Sequence, residues 1–205
     1  MRNRPDDILA MILVWPSAEY LPGYMDALER GWSPNTIRSE AGREELERIA
    51  AGADQFLAEQ VDHEAKGPPV KLPDGSTAAR IPGYRRWLWD GEFCGIINLR
   101  WQPGTAELPP HCLGHIGYSI VPWKRNRGYA TQALELLLPE VRDLGLPYVE
   151  LTTDPDNVAS RRVIEANGGV LFETFTKLAA YGGTSGLRYR IHLLPAPTAD
   201  PSTGE

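Results

Sequence analysis

The feature that most constrains this chain is a strand, a basic turn and a helix in immediate succession between His115 and Leu144. Ile116-Gly-Tyr-Ser-Ile-Val121 is a run of β-branched and aromatic residues, the composition of a strand. Pro122 stops it, because proline has no N–H to donate to a sheet ladder. Lys124, Arg125 and Arg127 then crowd a short turn that closes on Gly128. From Ala130 the spacing becomes helical, with Ala130, Leu134, Leu137, Val141 and Leu144 on one face. The first amides of such a helix lack intrahelical partners and sit at the positive end of its dipole. With Gly128 letting the backbone come close, Arg125-Asn126-Arg127-Gly128-Tyr129-Ala130 is suited to hold a phosphate or diphosphate.

The kind of phosphate is narrowed by what the turn lacks. A dinucleotide site of the Rossmann type needs G-x-G-x-x-G and an acidic residue about 20 positions on; this turn has a single glycine. The Walker sequence G-x-x-x-x-G-K-[ST] is absent. The turn instead resembles the R/Q-x-x-G-x-G/A turn of the GNAT superfamily, the Gcn5-related N-acetyltransferases. A second block, Asp154-Pro-Asp-Asn157-Val-Ala-Ser160-Arg-Arg-Val-Ile-Glu-Ala-Asn167-Gly168-Gly169, resembles that family's next helix. The blocks lie about 25 residues apart, the length of a strand–helix–strand unit.

The resemblance implies an α/β fold of GNAT type: a mixed, mostly antiparallel sheet, one parallel β-α-β unit at the acetyl-CoA site, and helices on both faces. It implies that Arg125, Asn126, Arg127, Gly128, Tyr129, Ala130 and Thr131 carry the diphosphate of acetyl-CoA, the co-substrate. Backbone at Ile120 and Val121 would meet the pantetheine arm and stabilise the developing oxyanion. Asn157 would bind pantetheine. Two family positions differ here: Thr152 stands where some relatives have a glutamate, and Ile164 where many have a tyrosine acid. A thiol of pKa ~8.5 leaves with modest help. Ser160, on the same helix face as Asn157, can supply that hydrogen bond. A lysine-like amine of pKa ~10.4 is mostly protonated at neutral pH, so a base is useful. His115 is the candidate base, with a hydrogen-bonded structural histidine as the competing reading and Tyr118, Glu150 and Tyr189 in reserve.

The spacing of His111, Cys112 and His115, with Cys94, fits no closed zinc pattern, so no metal is expected. With only these cysteines there is no disulfide framework, which suits a reducing cytoplasm. The 205 residues make one domain of ordinary size, at 42% hydrophobic and 23% charged. Neither a signal peptide nor a membrane span is expected. Net charge is −6, and residues 1–66 hold 13 acidic against 7 basic side chains. That excess argues against a nucleic-acid surface there. If the early helices wall the acceptor cleft, as in the family, their carboxylates favour a cationic amine. Oligomeric state, monomer or homodimer, is left open.

The domain is expected over residues 10–194, between a flexible start (1–9) and a flexible Pro/Ser/Thr tail (195–205). A strand at Met11–Val14, a helix capped by Ser17 and running to Arg30, and a helical stretch from Glu40 to Val61 broken at Gly52 come first. Residues 67–83 read as loop with a tight Asp74-Gly75 turn. Apolar runs on either side of Asp90-Gly91 signal a hairpin. The implied activity is acetyl transfer from acetyl-CoA to a primary amine of a small molecule or peptide by direct attack. The alternative is a coenzyme-A-binding module that has lost catalysis and acts as a sensor or partner.

Overall fold

The computed structural model describes residues 10–193. The expected flexible start (1–9) and the whole of the expected tail (195–205) lie outside them. Strand β1 (Ile12–Val14) leads into α1 (Leu21–Glu29), α2 (Ala41–Ala51) and α3 (Ala53–Ala58). Helix α1 begins three residues later than Ser17 capping would give. The Ser17 carbonyl accepts from Tyr20 and Leu21 N–H in a preceding turn, and Pro22 fits the first helical turn, where no amide bond is lost. The break at Gly52 divides the second helical stretch as expected, but Asp54 lies in the first turn of α3 rather than capping it.

Three short strands follow: β2 (Val61–Asp62), β3 (Val70–Lys71) and β4 (Thr77–Ala78). The β3–β4 pair turns at Asp74-Gly75, where Gly75 has φ +84° and Asp74 Oδ1 accepts from Ser76 N–H. The long hairpin β5 (Gly83–Trp89) and β6 (Phe93–Arg100) turns at Asp90-Gly91. Then come β7 (Ile116–Ile120), α4 (Tyr129–Arg142), β8 (Tyr148–Thr153), α5 (Val158–Ala166), β9 (Val170–Thr176) and β10 (Ser185–His192). Pro139 lies within α4 and removes one helical donor.

The strands form a five-stranded sheet in the order β1-β5-β6-β7, with β2 also on β5, and a separate three-stranded sheet, β8-β10-β9. Every pairing among the described residues is antiparallel. The strand–helix–strand unit around the phosphate turn is present as β7–α4–β8, but its two strands belong to different sheets. Two cores follow from strand alternation. Trp87, Ile96 and Phe93 face α1–α3 and pack on Tyr24, Leu28, Ile49 and Phe56. Leu88, Ile97, Leu99 and Ile116 face the other way, onto Leu134, Leu137 and Val141 of α4. Leu144, expected on that stripe, is past the helix end and 37% exposed. Among the described residues no helix is long and apolar enough to cross a membrane. Cys94 and Cys112 are buried free thiols.

Candidate active site

Strands β7 and β8 meet at one end only. There, His115 N–H donates to the Glu150 carbonyl at 2.7 Å, and Glu150 N–H donates to His115 Nδ1 at 3.0 Å. Gly114 permits this approach, since a Cβ on it would lie 2.9 Å from the Glu150 carbonyl oxygen. Beyond the junction no ladder joins the strands among the described residues. The β6–β7 register commits the backbone of Gly117 and Ser119 to β6 and turns that of Ile116, Tyr118 and Ile120 toward the gap. One edge of β7 is therefore open.

This register separates two residues expected to act together. Ile120 N–H faces the gap, while its carbonyl accepts from Arg125 Nε at 3.2 Å. Val121 is fully buried, and its N–H donates to the Cys94 carbonyl at 3.0 Å. The Val121 amide is thus committed to the sheet, which corrects its expected part in oxyanion binding.

The phosphate turn follows. Asn126 has φ +60° and Gly128, at the start of α4, has φ +78°, so the chain turns its amides into a shallow cradle. Gln132 N–H closes the first turn on the Gly128 carbonyl at 3.0 Å, leaving the amides ahead of it at the open end of the helix. Arg125, Asn126 and Arg127 are exposed beside them, with Tyr129, Ala130 and Thr131 half-buried. Lys124 is not part of this surface. It is 5% exposed, and its Nζ lies 2.5 Å from Asp90 Oδ1 and 3.0 Å from Glu92. Tyr129 Oη donates to the other oxygen of Asp90 at 2.5 Å. Burial pushes the Asp90 carboxyl up, but hydrogen bonds from Lys124 and Tyr129 outweigh it and hold the carboxyl below its ordinary value. The hairpin tip thereby bolts both ends of the turn.

Across the gap, Asn157 Oδ1 caps α5 by accepting from Ser160 N–H at 3.0 Å, which leaves the Asn157 amide N–H₂ as its free donor. Ser160 Oγ is 2.8 Å from Tyr118 Oη, so a hydroxyl from β7 and one from α5 meet. Desolvation raises the Tyr118 pKa to about 12, against the opposing hydrogen bond with Ser160, and keeps the phenol protonated.

His115 has no exposed surface. Its Nδ1 lone pair is taken by Glu150 N–H, so the neutral ring carries its proton on Nε2, which has no hydrogen-bond partner among the described residues. Burial depresses its pKa to about 4, despite the nearby Glu150 carboxylate. This arrangement speaks against a base role and fits the competing reading, a structural histidine. Two of the reserves are also engaged. Glu150 is bound by Arg190 at 2.7 Å and Arg188 at 3.5 Å, and Tyr189 bonds Glu165 and Arg161. Thr152 lines the adjoining cleft, whereas Ile164 is fully buried in the core.

A cleft of about 650 Å³ opens onto this junction at Gly117 and Thr152. Its walls are α2, the β3–β4 hairpin and the polar face of β5 and β6. Helix α2, the end of α3 and strand β2 contribute the cleft's four carboxylates, but each is spoken for: Glu44 by Arg38 and Lys71, Glu45 by Arg85, Glu59 by Arg48, and Asp62 by Arg80. The basis for expecting a cationic acceptor is therefore absent. Arg85, Asn98 and Arg100, which line the cleft, and the Tyr118–Ser160 contact were not anticipated as a group. Strand alternation could have put the first three on one face; the contact between strand and helix has no local signal.

Comparison with known proteins agrees with the geometry. The sequence pattern of the Acetyltransferase (GNAT) domain matches residues 41–170, more than half of the chain. No curated protein matches the sequence. Among solved structures, the Microcin C7 self-immunity acetyltransferase MccE, in complex with acetyl-CoA and AMP, superposes with TM-score 0.55 at 13% identity, covering 91% of this chain and 93% of that one. An acetyltransferase from Salmonella typhimurium that modifies the N-terminal serine of ribosomal protein L7/L12 gives TM-score 0.56 at 13% identity, over 89% and 94%. A GNAT-family acetyltransferase from Bacillus anthracis gives TM-score 0.56 at 16% identity, over 89% and 95%. These structures share the fold. Taken with the matched domain and the open edge between β7 and β8, they show that the chain belongs to the GNAT family of acetyltransferases.

Proposed function

We propose that this protein transfers an acetyl group from acetyl-CoA to a primary amine of a small molecule or peptide by direct attack. The observation that carries this reading is the continuity of three features: the bare amino end of α4, the open edge of β7, and the Tyr118–Ser160 hydroxyl pair. In this reading the amides from Asn126 to Thr131, with Arg125 and Arg127, bind the diphosphate. Ile120 N–H and the Asn157 side chain hold the pantetheine arm, and the thioester then lies where the cleft meets the gap. A neutral amine attacks the carbonyl carbon, a C–N bond forms and the C–S bond breaks. The thiolate leaves under a hydrogen bond from the Tyr118–Ser160 pair, which keeps its protons, and the proton of the new ammonium leaves through the cleft to water. His115 takes no part in the proton transfer; it clips the two sheets together.

Two of the solved relatives support acetyl-CoA as donor, since MccE and a Salmonella typhimurium protein, yncA, are described with it bound. The test is thiol release from acetyl-CoA with a panel of amino acids, polyamines, aminoglycosides and peptides. Turnover with at least one amine, absent without enzyme, is the expected result. Tight coenzyme A binding with no turnover on any amine would reassign the chain as a binding module without catalysis.

A further inference from the structure

Among the described residues, the cleft carries one cation that the fold does not neutralise. Its walls hold six cationic side chains and four carboxylates. The carboxylates are all consumed by Arg38, Lys71, Arg85, Arg48 and Arg80. Arg100 has no carboxylate partner among the described residues and is half-buried at the end of β6. Its Nη1 is 3.9 Å from Cys112 Sγ, a weak contact, and its Nη2 occupies the space that a side chain at position 117 would need, 3.1 Å from the place of its Cβ. Gly117 sits on β7 beside the open edge, so this guanidinium stands at the junction where an acceptor would meet the thioester. A partly desolvated guanidinium favours a bidentate oxyanion partner.

We infer that the acceptor is an amine whose carrier bears a carboxylate, and that Arg100 binds that carboxylate. The inference rests on the acetyl-transfer reading above and gives it a substrate class opposite in charge to the one the early helices suggested. A free amino acid could supply such a carboxylate, as could a peptide with an acidic residue next to its amino terminus.

The test uses the full chain with acetyl-CoA and matched acceptor pairs: an amino acid against its amide, and a peptide amide with Glu against Gln at its second position. The expected result is a preference of about 10-fold or more in kcat/KM for the carboxylate member of one pair, which also identifies the source. Arg100→Gln should abolish that preference and Arg100→Lys should retain part of it, with acetyl-CoA affinity unchanged in both. Equal use of both members, or a preference for the neutral ones, overturns the inference while leaving acetyl transfer standing. If no amine is turned over, the proposed activity fails, and the same pairs are compared by direct binding in the presence of coenzyme A. Tighter binding of the carboxylate members then supports the role of Arg100, and equal binding overturns it.

Discussion

His115 is buried against Glu150, and its pKa falls from the ordinary 6.5 to about 4 because burial disfavours the imidazolium. Between those values the unfolded chain binds a proton at this site that the folded chain does not. The contribution to stability is therefore complete above pH 6.5 and declines as pH falls toward about 4. The shift corresponds to roughly 3 kcal/mol across that window. Replacing His115 with Gln should flatten the loss of thermal stability over this range, read by melting temperature against pH; an unaltered slope would show that other groups carry it. The hydroxyl pair is tested at the same scale. Tyr118→Phe and Ser160→Ala should each lower kcat by about 10-fold or more, with little change in the KM for acetyl-CoA, since a donor to the leaving thiolate acts in the transition state. A loss confined to KM would instead make the pair part of the binding surface.

The β5–β6 hairpin is a long-range brace for the phosphate turn, because Asp90 at its tip holds Lys124 and Tyr129. Asp90→Asn would leave Lys124 buried with only the exposed Glu92 for a partner. Breaking a buried pair in this way costs about 3–5 kcal/mol. The variant should melt earlier and bind acetyl-CoA more weakly, by calorimetry; unchanged affinity would show that the turn holds its shape without the brace. Elements of this kind were only partly legible in the sequence. The phosphate turn, α4 and the Asp90-Gly91 hairpin were readable because periodicity and turn chemistry act between near neighbours. The β3–β4 pair lies within the expected loop, around the expected Asp74-Gly75 turn, because two residues per strand carry no period to read. The ion pairs that silence the cleft carboxylates were not readable at all: Glu45 and Arg85 stand 40 positions apart, and only the fold brings them together.

At the scale of the whole molecule, the two sheets share the core beneath α4 and meet backbone to backbone at Gly114 and His115. The sequence led to an expectation of neighbouring strands around α4, and those strands are there. That they part after one contact depends on how each sheet pairs with its own partners, which no stretch of sequence records. Gly114→Ala should force the contact apart, lowering stability by about 1–3 kcal/mol and weakening acetyl-CoA binding along with it; a variant as stable as the parent would mean the junction has slack. The one-ended junction also bears on how a long, amide-bearing arm can enter such a protein. Main-chain hydrogen bonds within a sheet must be surrendered before anything can slip between its strands, but beyond His115 there are none here to surrender. An arm with its own amides can therefore lie along β7 like a borrowed strand, and each sheet keeps its pairing intact while the guest comes and goes.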